Sequence, residues 1–177
     1  MEAITGPVGE HWPRIPDSCF IAPGAVVLGQ VTLGEQVNIW FNCTIRGDVH
    51  WIEIGEQTNV QDNSVLHVTH DTHPLRIGNR VTCGHAVRLH GCTIEDETLI
   101  GIGAVVLDGA VVRSGAMVAA GAVVPPGMEV PSGVLVAGVP AKVIRELRPA
   151  ERADIPESAR RYVAYAKAMR EDLRRAH

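Results

Sequence analysis

Aliphatic residues recur at every sixth position along most of the chain. When the sequence is read in sixes from Ile21, the first position of each unit is Ile, Val or Leu, with Cys83 as the exception. The fifth position is mostly small or β-branched, and the fourth is often Gly or Asn, which tolerate the left-handed backbone of a tight corner. Residues 51–53 and 72–76 interrupt the count. This period predicts short parallel strands, three to a triangular coil of about 18 residues, stacked coil upon coil.

After Ile144 the six-residue pattern gives way to a helical one. An aspartate cap, an early proline and a capping-box glutamate at 154–157 predict the start of a helix. Farther on, four residues fall on one apolar stripe: Tyr162, Ala166, Met169 and Leu173. We therefore predict an all-β domain, a parallel β-helix over residues 1–144, and a C-terminal helical extension over 145–177 that packs its α-helix on the outside.

The repeat register brings two histidines into one column. Units three apart lie on the same face, so the units that begin at residues 45, 66 and 89 stack, and their second positions are Arg46, His67 and His90. Adjacent rungs of a sheet are roughly 4.8 Å apart. Two imidazoles at that spacing can converge on one metal ion with N–metal distances of about 2.0–2.1 Å.

His85 belongs to the preceding face. Five extended residues span roughly 15 Å, so we do not expect one chain to bring His85 to His67 and His90. A copy related by a three-fold axis could supply its own His85, and we therefore predict a homotrimer with one metal at each interface. Asp62 lies beneath His85 in its column, with Gln61 beside it. The alternative is a set of interfacial polar residues joined by hydrogen bonds alone.

Composition narrows the choice of partners and compartment. Net charge is −4 with both signs mixed, which argues against nucleic acid, and no apolar run reaches the length that a membrane span needs. The beginning of the chain shows no signal-peptide pattern, so we expect a cytoplasmic protein. The four cysteines lack CxxC spacing and are predicted to be reduced, buried thiols. A redox role for Cys83 or Cys92 stays open.

A set of short motifs carries a resemblance to a known family. The pattern resembles the γ-class carbonic anhydrase family, and more closely its compact bacterial branch, often called carbonic anhydrase-like or ferripyochelin-binding-protein-like. The resemblance covers nearly the whole chain. The motifs are Asn38-Ile39-Trp40, Ile45-Arg46-Gly47-Asp48, Asn59-Val60-Gln61-Asp62, Leu66-His67-Val68-Thr69-His70, Gly84-His85 and Leu89-His90-Gly91-Cys92.

This resemblance implies a fold, a metal and a reaction. The fold is a left-handed parallel β-helix assembled as a trimer, with interfacial Zn²⁺, or alternatively Fe²⁺ or Co²⁺. His67 and His90 would come from one subunit and His85 from the next. The implied reaction is the reversible hydration of CO2 to bicarbonate, in which the metal lowers the pKa of its water toward about 7.

The resemblance also assigns roles around the metal. Arg46 and Asp48 match an ion pair at the interface beside the site. Gln61 matches a residue that hydrogen-bonds the metal-bound water, and Asp62 matches a neighbour that supports the interface.

Two positions leave the proton pathway open. The prototype's acidic loop with its glutamate shuttle is replaced here by a shorter segment without glutamate, 68–74, and another prototype acid is Val49. His70, with an unperturbed pKa near 6.5, could be the shuttle or a locally bonded loop residue. Tyr162 matches a helix tyrosine that can approach the site, or it packs the helix.

Other functions fit the same repeat. Gly138-Val139-Pro140-Ala141-Lys142-Val143-Ile144 resembles the coil ending of acyl-CoA-dependent hexapeptide acyltransferases, although the anhydrase-like branch shares it. A thioesterase that uses the same metal site, or a non-catalytic trimeric scaffold, are further alternatives.

Overall fold

The computed structural model describes residues 2–175, and the outermost residues of both predicted segments lie outside that range. One α-helix follows a series of short strands. The strands are β1 Ile4–Gly6, β2 Phe20–Ile21, β3 Val26–Leu33, β4 Asn38–Ile39, β5 Thr44–Ile54, β6 Asn59–Val60, β7 Val65–His67, β8 Leu75–Ile77, β9 Thr82–Cys83, β10 Arg88–His90, β11 Thr93–Ile94, β12 Leu99–Ile100, β13 Val105–Val106, β14 Val111–Val112, β15 Met117–Val118, β16 Val123–Val124, β17 Glu129–Val130, β18 Val134–Ala137 and β19 Lys142–Glu146, and the helix is α1 Pro149–Arg175.

Three faces run along the solenoid, as a triangular coil requires. The first face carries β7, β10, β13 and β16 beside the first halves of β3 and β5, and the second carries β8, β11, β14 and β17 beside their second halves. The third face runs in the order β19-β18-β15-β12-β9-β6-β4-β2. Among the named strands within residues 2–175, pairing is parallel except between β18 and β19. The fold class predicted from the repeat is confirmed.

First-position side chains fill the interior of the coils. Ile45 pairs with Leu66, and Leu66 pairs with Leu89, so each rung places an aliphatic side chain on the next. All three are at most 1% exposed. Burial of such a side chain contributes about 1.5–3 kcal/mol, and repetition along the axis stabilises a molecule with few aromatic residues.

All four cysteines are free and buried, which confirms the predicted packing role. Cys83, the exception at a first position, is fully buried, and burial raises the pKa of its thiol to about 12. Burial also raises the pKa of Cys92. Thiols that stay protonated are poor nucleophiles.

The two interruptions of the repeat are accommodated in different ways. Residues 51–53 lie inside the long strand β5, which pairs with β3 through a register shift between Gly29 and Val31. Residues 72–76 lie partly in a loop closed by an antiparallel bridge between Thr69 and His73. This loop follows His67 directly and therefore borders the predicted metal site.

The helix begins earlier than the sequence indicates, and the predicted start at Asp154 is wrong. It starts at Pro149, where a proline lacks only an N–H that would be unpaired in any case. Glu151 accepts a hydrogen bond from the Arg148 backbone N–H and pairs with Arg145. Ile155 is 1% exposed, so packing keeps the chain helical through Pro156.

The predicted apolar stripe does face the solenoid. Ala166 is buried with Phe20, Ala22 and Trp40, and the other stripe residues pack against that cluster. Helix α1 contacts β2, β4, β6 and β9, so it covers the third face. Strand β19 crosses the predicted boundary at Ile144. No helix within residues 2–175 is long and apolar enough to cross a membrane.

Candidate metal centre

His67 and His90 lie opposite each other on neighbouring rungs of the first face. The backbone register pairs His67 in β7 with His90 in β10, as the repeat predicts. The Nδ1 atom of His67 is 3.0 Å from the Nε2 atom of His90. Both side chains are partly buried, at 21% and 38% exposed.

Each imidazole meets a carboxylate on its outer nitrogen. His67 Nε2 is 2.9 Å from Asp48 Oδ1, and His90 Nδ1 is 2.6 Å from Asp108 Oδ1. An ionised carboxylate only accepts hydrogen bonds, so each neutral ring keeps its proton on the outer nitrogen. Both inner nitrogens then direct lone pairs at each other.

Two facing lone pairs need a shared proton or a cation between them. Two ligands of a tetrahedral zinc at about 2.05 Å would be about 3.3 Å apart, close to the 3.0 Å between the two inner nitrogens. The donor set of His67 and His90 therefore fits a zinc-class ion with a small outward movement of the rings.

Arg46 and Asp48 form the ion pair that the motif predicts. Asp48 also bonds His67, so this carboxylate joins the ion pair to the histidine column. Partial burial alone would raise the pKa of Asp48, but the hydrogen bond with His67 and the charge of Arg46 outweigh it and hold the pKa below its ordinary value.

The third histidine lies at the corner between the first and third faces. His85 Nδ1 is 2.9 Å from Asp62 Oδ2, which confirms that these two residues stack. Among residues 2–175, no three His, Cys, Asp or Glu side chains come close enough to hold one metal ion. One chain thus keeps His85 apart from His67 and His90, in agreement with the sequence argument, and the trimer remains a prediction.

A cavity of about 410 Å³ opens beside His85. Tyr162 of helix α1 lines it together with Asp62, and the Tyr162 ring stacks edge-on against Trp40 with centroids 5.6 Å apart. Burial, reinforced by the negative charge of Asp62, raises the pKa of Tyr162. Tyr162 therefore packs the helix and also lines the cavity beside His85, and its approach to a metal site stays a prediction.

A buried polar chain fixes the amide of Gln61. Asn59 Nδ2 donates to the Val81 carbonyl and to Thr82 Oγ1, which orients Asn59 Oδ1 toward Gln61. Gln61 Nε2 donates to that oxygen over 3.1 Å. Thr82 Oγ1 in turn bonds Ser158 Oγ of helix α1. Within residues 2–175, Gln61 Oε1 accepts no hydrogen bond and remains available as an acceptor.

His70 occupies an exposed loop. Its ring lies 3.0 Å from the carboxylate of Asp71, and both side chains are more than two thirds exposed. In the described part of the chain His70 makes no hydrogen bond with the histidine column, so the structure separates it from that network.

The sequence pattern does not indicate Asp108 or Thr69. The predicted column of second positions ends at His90. Continuing it by one coil pairs Leu89 with Val106 and brings the unit that contains Asp108 against His90. Thr69 donates to the other oxygen of Asp108 over 2.8 Å. Neither residue has a spacing signal of its own.

Comparisons with known proteins place the chain among hexapeptide-repeat proteins and carbonic anhydrases. Residues 13–47 match the family described as bacterial transferase hexapeptide (six repeats). A protein of Methanocaldococcus jannaschii described as a probable carbonic anhydrase is 50% identical, over 84% of this chain and 93% of the relative. The carbonic anhydrase of Geobacillus kaustophilus is 46% identical, over 90% of this chain and 88% of the relative.

A solved structure extends the similarity to the complete fold. A Bacillus cereus protein described as a candidate acetyltransferase superposes with a TM-score of 0.94 at 41% identity, covering 97% of this chain and 99% of its own. The same solenoid is thus found under two functional descriptions.

Proposed function

The chain belongs to the γ-class carbonic anhydrase family of hexapeptide-repeat proteins, and from that premise we propose that it hydrates CO2 reversibly to bicarbonate at a metal centre between the subunits of a homotrimer. The observation that carries the proposal is the pair of inner nitrogens on His67 and His90, 3.0 Å apart and each backed by a carboxylate.

The three histidines would hold the ion, with His85 supplied by the neighbouring subunit. Three neutral imidazoles leave one position of a tetrahedral zinc open, which is the arrangement of catalytic sites. A zinc-class ion held there would supply a hydroxide nucleophile near neutral pH. Fe²⁺ and Co²⁺ also accept imidazole ligands.

Exposed apolar side chains support the subunit contact. Val65, 42% exposed, lies two residues from His67, and Ile102, 58% exposed, lies near His85, whose carbonyl accepts the Gly103 N–H. A three-fold assembly joins two different surfaces head to tail and closes as a ring. The Val65 surface of one subunit meeting the Ile102 surface of the next would bring His85 to the histidine column.

Gln61 would position the attacking water. Its amide orientation is fixed through Asn59 by the Val81 carbonyl, which can only accept. The outward atom is therefore Oε1, an acceptor for an O–H donor. Gln61 would hold that water for attack on the carbon of CO2.

The proton released by hydration must then reach solvent. His70 is an exposed imidazole on the loop that follows His67, which suits a shuttle to solvent. Tyr162 borders the His85 corner and would shape the approach of CO2 through the adjacent cavity.

Metal analysis and stopped-flow CO2 hydration test the proposal together. Purified wild-type protein should hold about one zinc-class ion per chain. His67→Ala, His85→Ala and His90→Ala should each lose both metal and hydration, whereas His50→Ala, which removes a ring stacked on Trp51, should keep both. Metal retained by the His67 and His85 variants, or no hydration by a metal-replete trimer, would contradict the proposal.

An acyl-CoA-dependent transferase or thioesterase is the second candidate, favoured by the match to the Bacillus cereus protein. Acyltransferases of this fold usually rely on a histidine base rather than three convergent histidines. Acyl-CoA turnover that survives complete metal removal would favour the transferase, and turnover lost with the metal would favour the thioesterase. Neither activity in a metal-replete trimer would favour a scaffold.

A further inference from the structure

We propose that Asp108 is a positioning residue for the metal centre: its carboxylate holds His90 in the tautomer that carries the proton on Nδ1, so that Nε2 points at the metal position. The inference rests on the proposed function for the existence of that metal. It assigns a role to a residue one coil away from the histidine pair.

Both oxygens of the Asp108 carboxylate are engaged. Oδ1 is 2.6 Å from His90 Nδ1, and Oδ2 accepts the hydroxyl of Thr69 over 2.8 Å. Because both oxygens are held, the orientation of the carboxylate is fixed. The carboxylate in turn fixes the rotation of the imidazole. Thr69 belongs to the loop segment that follows His67, so the support of one histidine is anchored beside the other.

Gly91 provides the space for this approach. A Cβ at Gly91 would overlap Asp108 Oδ1 and lie 2.7 Å from the Cβ of His73. The backbone of Gly91 also has φ +53°, in the left-handed region that favours glycine. The residue directly after the ligand is therefore the one that lets the carboxylate reach His90 from the next coil.

Asp108 differs from Asp48 in what shares its charge. The Asp48 carboxylate contacts both the His67 ring and the guanidinium of Arg46. Within residues 2–175, the Asp108 carboxylate bonds only His90 and Thr69. His73 also lies close enough to feel this charge, but the hydrogen bond reaches only the His90 ring, where the carboxylate fixes the tautomer and raises the basicity of the opposite nitrogen.

Zinc affinity, measured by competition with a chelator, tests the first consequence. Asp108→Ala should bind zinc about 10–100-fold more weakly, as the loss of an outer-shell carboxylate usually does. Asp108→Asn keeps the acceptor and the shape but removes the charge, and should fall between the wild type and Asp108→Ala. Asp96→Asn is the matched control, because Asp96 also accepts two hydrogen bonds, both from Asn79, and neither involves a histidine.

The tautomer of His90 tests the second consequence without metal. Ring ¹⁵N spectra of the metal-free trimer should show neutral His90 with its proton on Nδ1. In Asp108→Ala the population should move toward the Nε2-protonated form. A general loosening of the fold would weaken zinc binding without moving this population, and circular dichroism checks that each variant is folded.

The outcomes separate this inference from the proposed reaction. Zinc affinity of Asp108→Ala within twofold of the wild type would overturn it, and so would weaker binding with an unchanged His90 tautomer. A wild-type trimer that binds zinc without hydrating CO2 would remove the proposed reaction and leave the role of Asp108 in place.

Discussion

The first face and the His85 corner of the proposed centre differ in how far the contacts of a single chain fix their side chains. On the first face, Asp48 and Asp108 hydrogen-bond the outer nitrogens of His67 and His90, whose inner nitrogens lie 3.0 Å apart within a single chain. At the corner, His85 has one carboxylate partner, Asp62, and a side chain that is 46% exposed. Stacking of the coils orders the histidines of the first face. The His85 side chain at the corner stays partly exposed and could contact a neighbouring subunit. Two of the three proposed ligands thus lie on a face that one chain forms by itself, and the third depends on the proposed assembly.

A substitution that disrupts the proposed subunit contact but leaves the three histidines in place should distinguish the role of the first face from that of the corner. Val65→Asp or Ile102→Asp places a charge on an exposed apolar side chain beside His67 or His85. We expect the trimer to dissociate and the metal to be lost, because burial of an unpaired charge at an interface is costly. Light scattering and metal analysis measure the two effects.

Val143→Asp is the matched control for these variants. Val143 is 50% exposed but lies in β19, at the end of the solenoid. We expect the Val143→Asp variant to keep the assembly mass and the metal content of the wild type. A metal-replete monomer of Val65→Asp would show that the corner is not needed.

Acid should weaken the preorganised face in the absence of metal. Asp48 and Asp108 have pKa values below the ordinary 3.8, because hydrogen bonds with the histidines outweigh the cost of burial. A carboxylate with a lowered folded-state pKa stabilises the fold above its ordinary pKa, and this contribution is lost as pH falls below it. The free energy of unfolding of metal-free protein should therefore drop from about pH 5 downward, until the pH lies below the folded-state pKa of both carboxyls.

The double variant Asp48→Asn/Asp108→Asn provides the comparison for that experiment. Its free energy of unfolding should fall less steeply over the same interval in urea titrations with chelator present. Equal slopes for wild type and variant would mean that the two carboxylates gain nothing from the histidines in the folded state.

The smallest expected effect concerns the link between the corner and helix α1. Thr82→Val removes the hydroxyl between Asn59 and Ser158 while keeping the shape of the side chain. We expect a loss of about 1 kcal/mol in stability and a several-fold lower kcat for CO2 hydration, with metal content unchanged. Thr98→Val removes a hydroxyl that, within residues 2–175, bonds carbonyls of its own turn alone, and it should cost similar stability and leave kcat intact.

The repeat explains why the face was predictable from the sequence. A strict six-residue register gives stacking directly, so the columns of His67 with His90 and of Asp62 with His85 were found without coordinates. The core followed for the same reason, since first positions point inward throughout. In a solenoid each coil contacts only its neighbours, so a short sequence period predicts which residues stack along the whole axis.

The six-residue period does not predict contacts that depend on how far a side chain extends. Asp108 contacts His90 diagonally across a coil, and the carboxylate fits because Gly91 has no Cβ. The start of α1 was misplaced because the pattern at 154–157 imitates a cap, whereas packing of Ile155 extends the helix back to Pro149. Both depend on three-dimensional contacts that have no period in the sequence.

Subunit complementation tests most directly whether the centre is shared between the face of one chain and the corner of the next. His85→Ala keeps an intact face, and the double variant His67→Ala/His90→Ala keeps an intact corner. Random trimers from an equal mixture join an intact face to an intact corner at about one quarter of the interfaces. We predict that co-assembly restores about one quarter of the wild-type metal content and CO2 hydration, although each variant alone has none. Failure of the mixed trimers to recover metal would contradict a shared site.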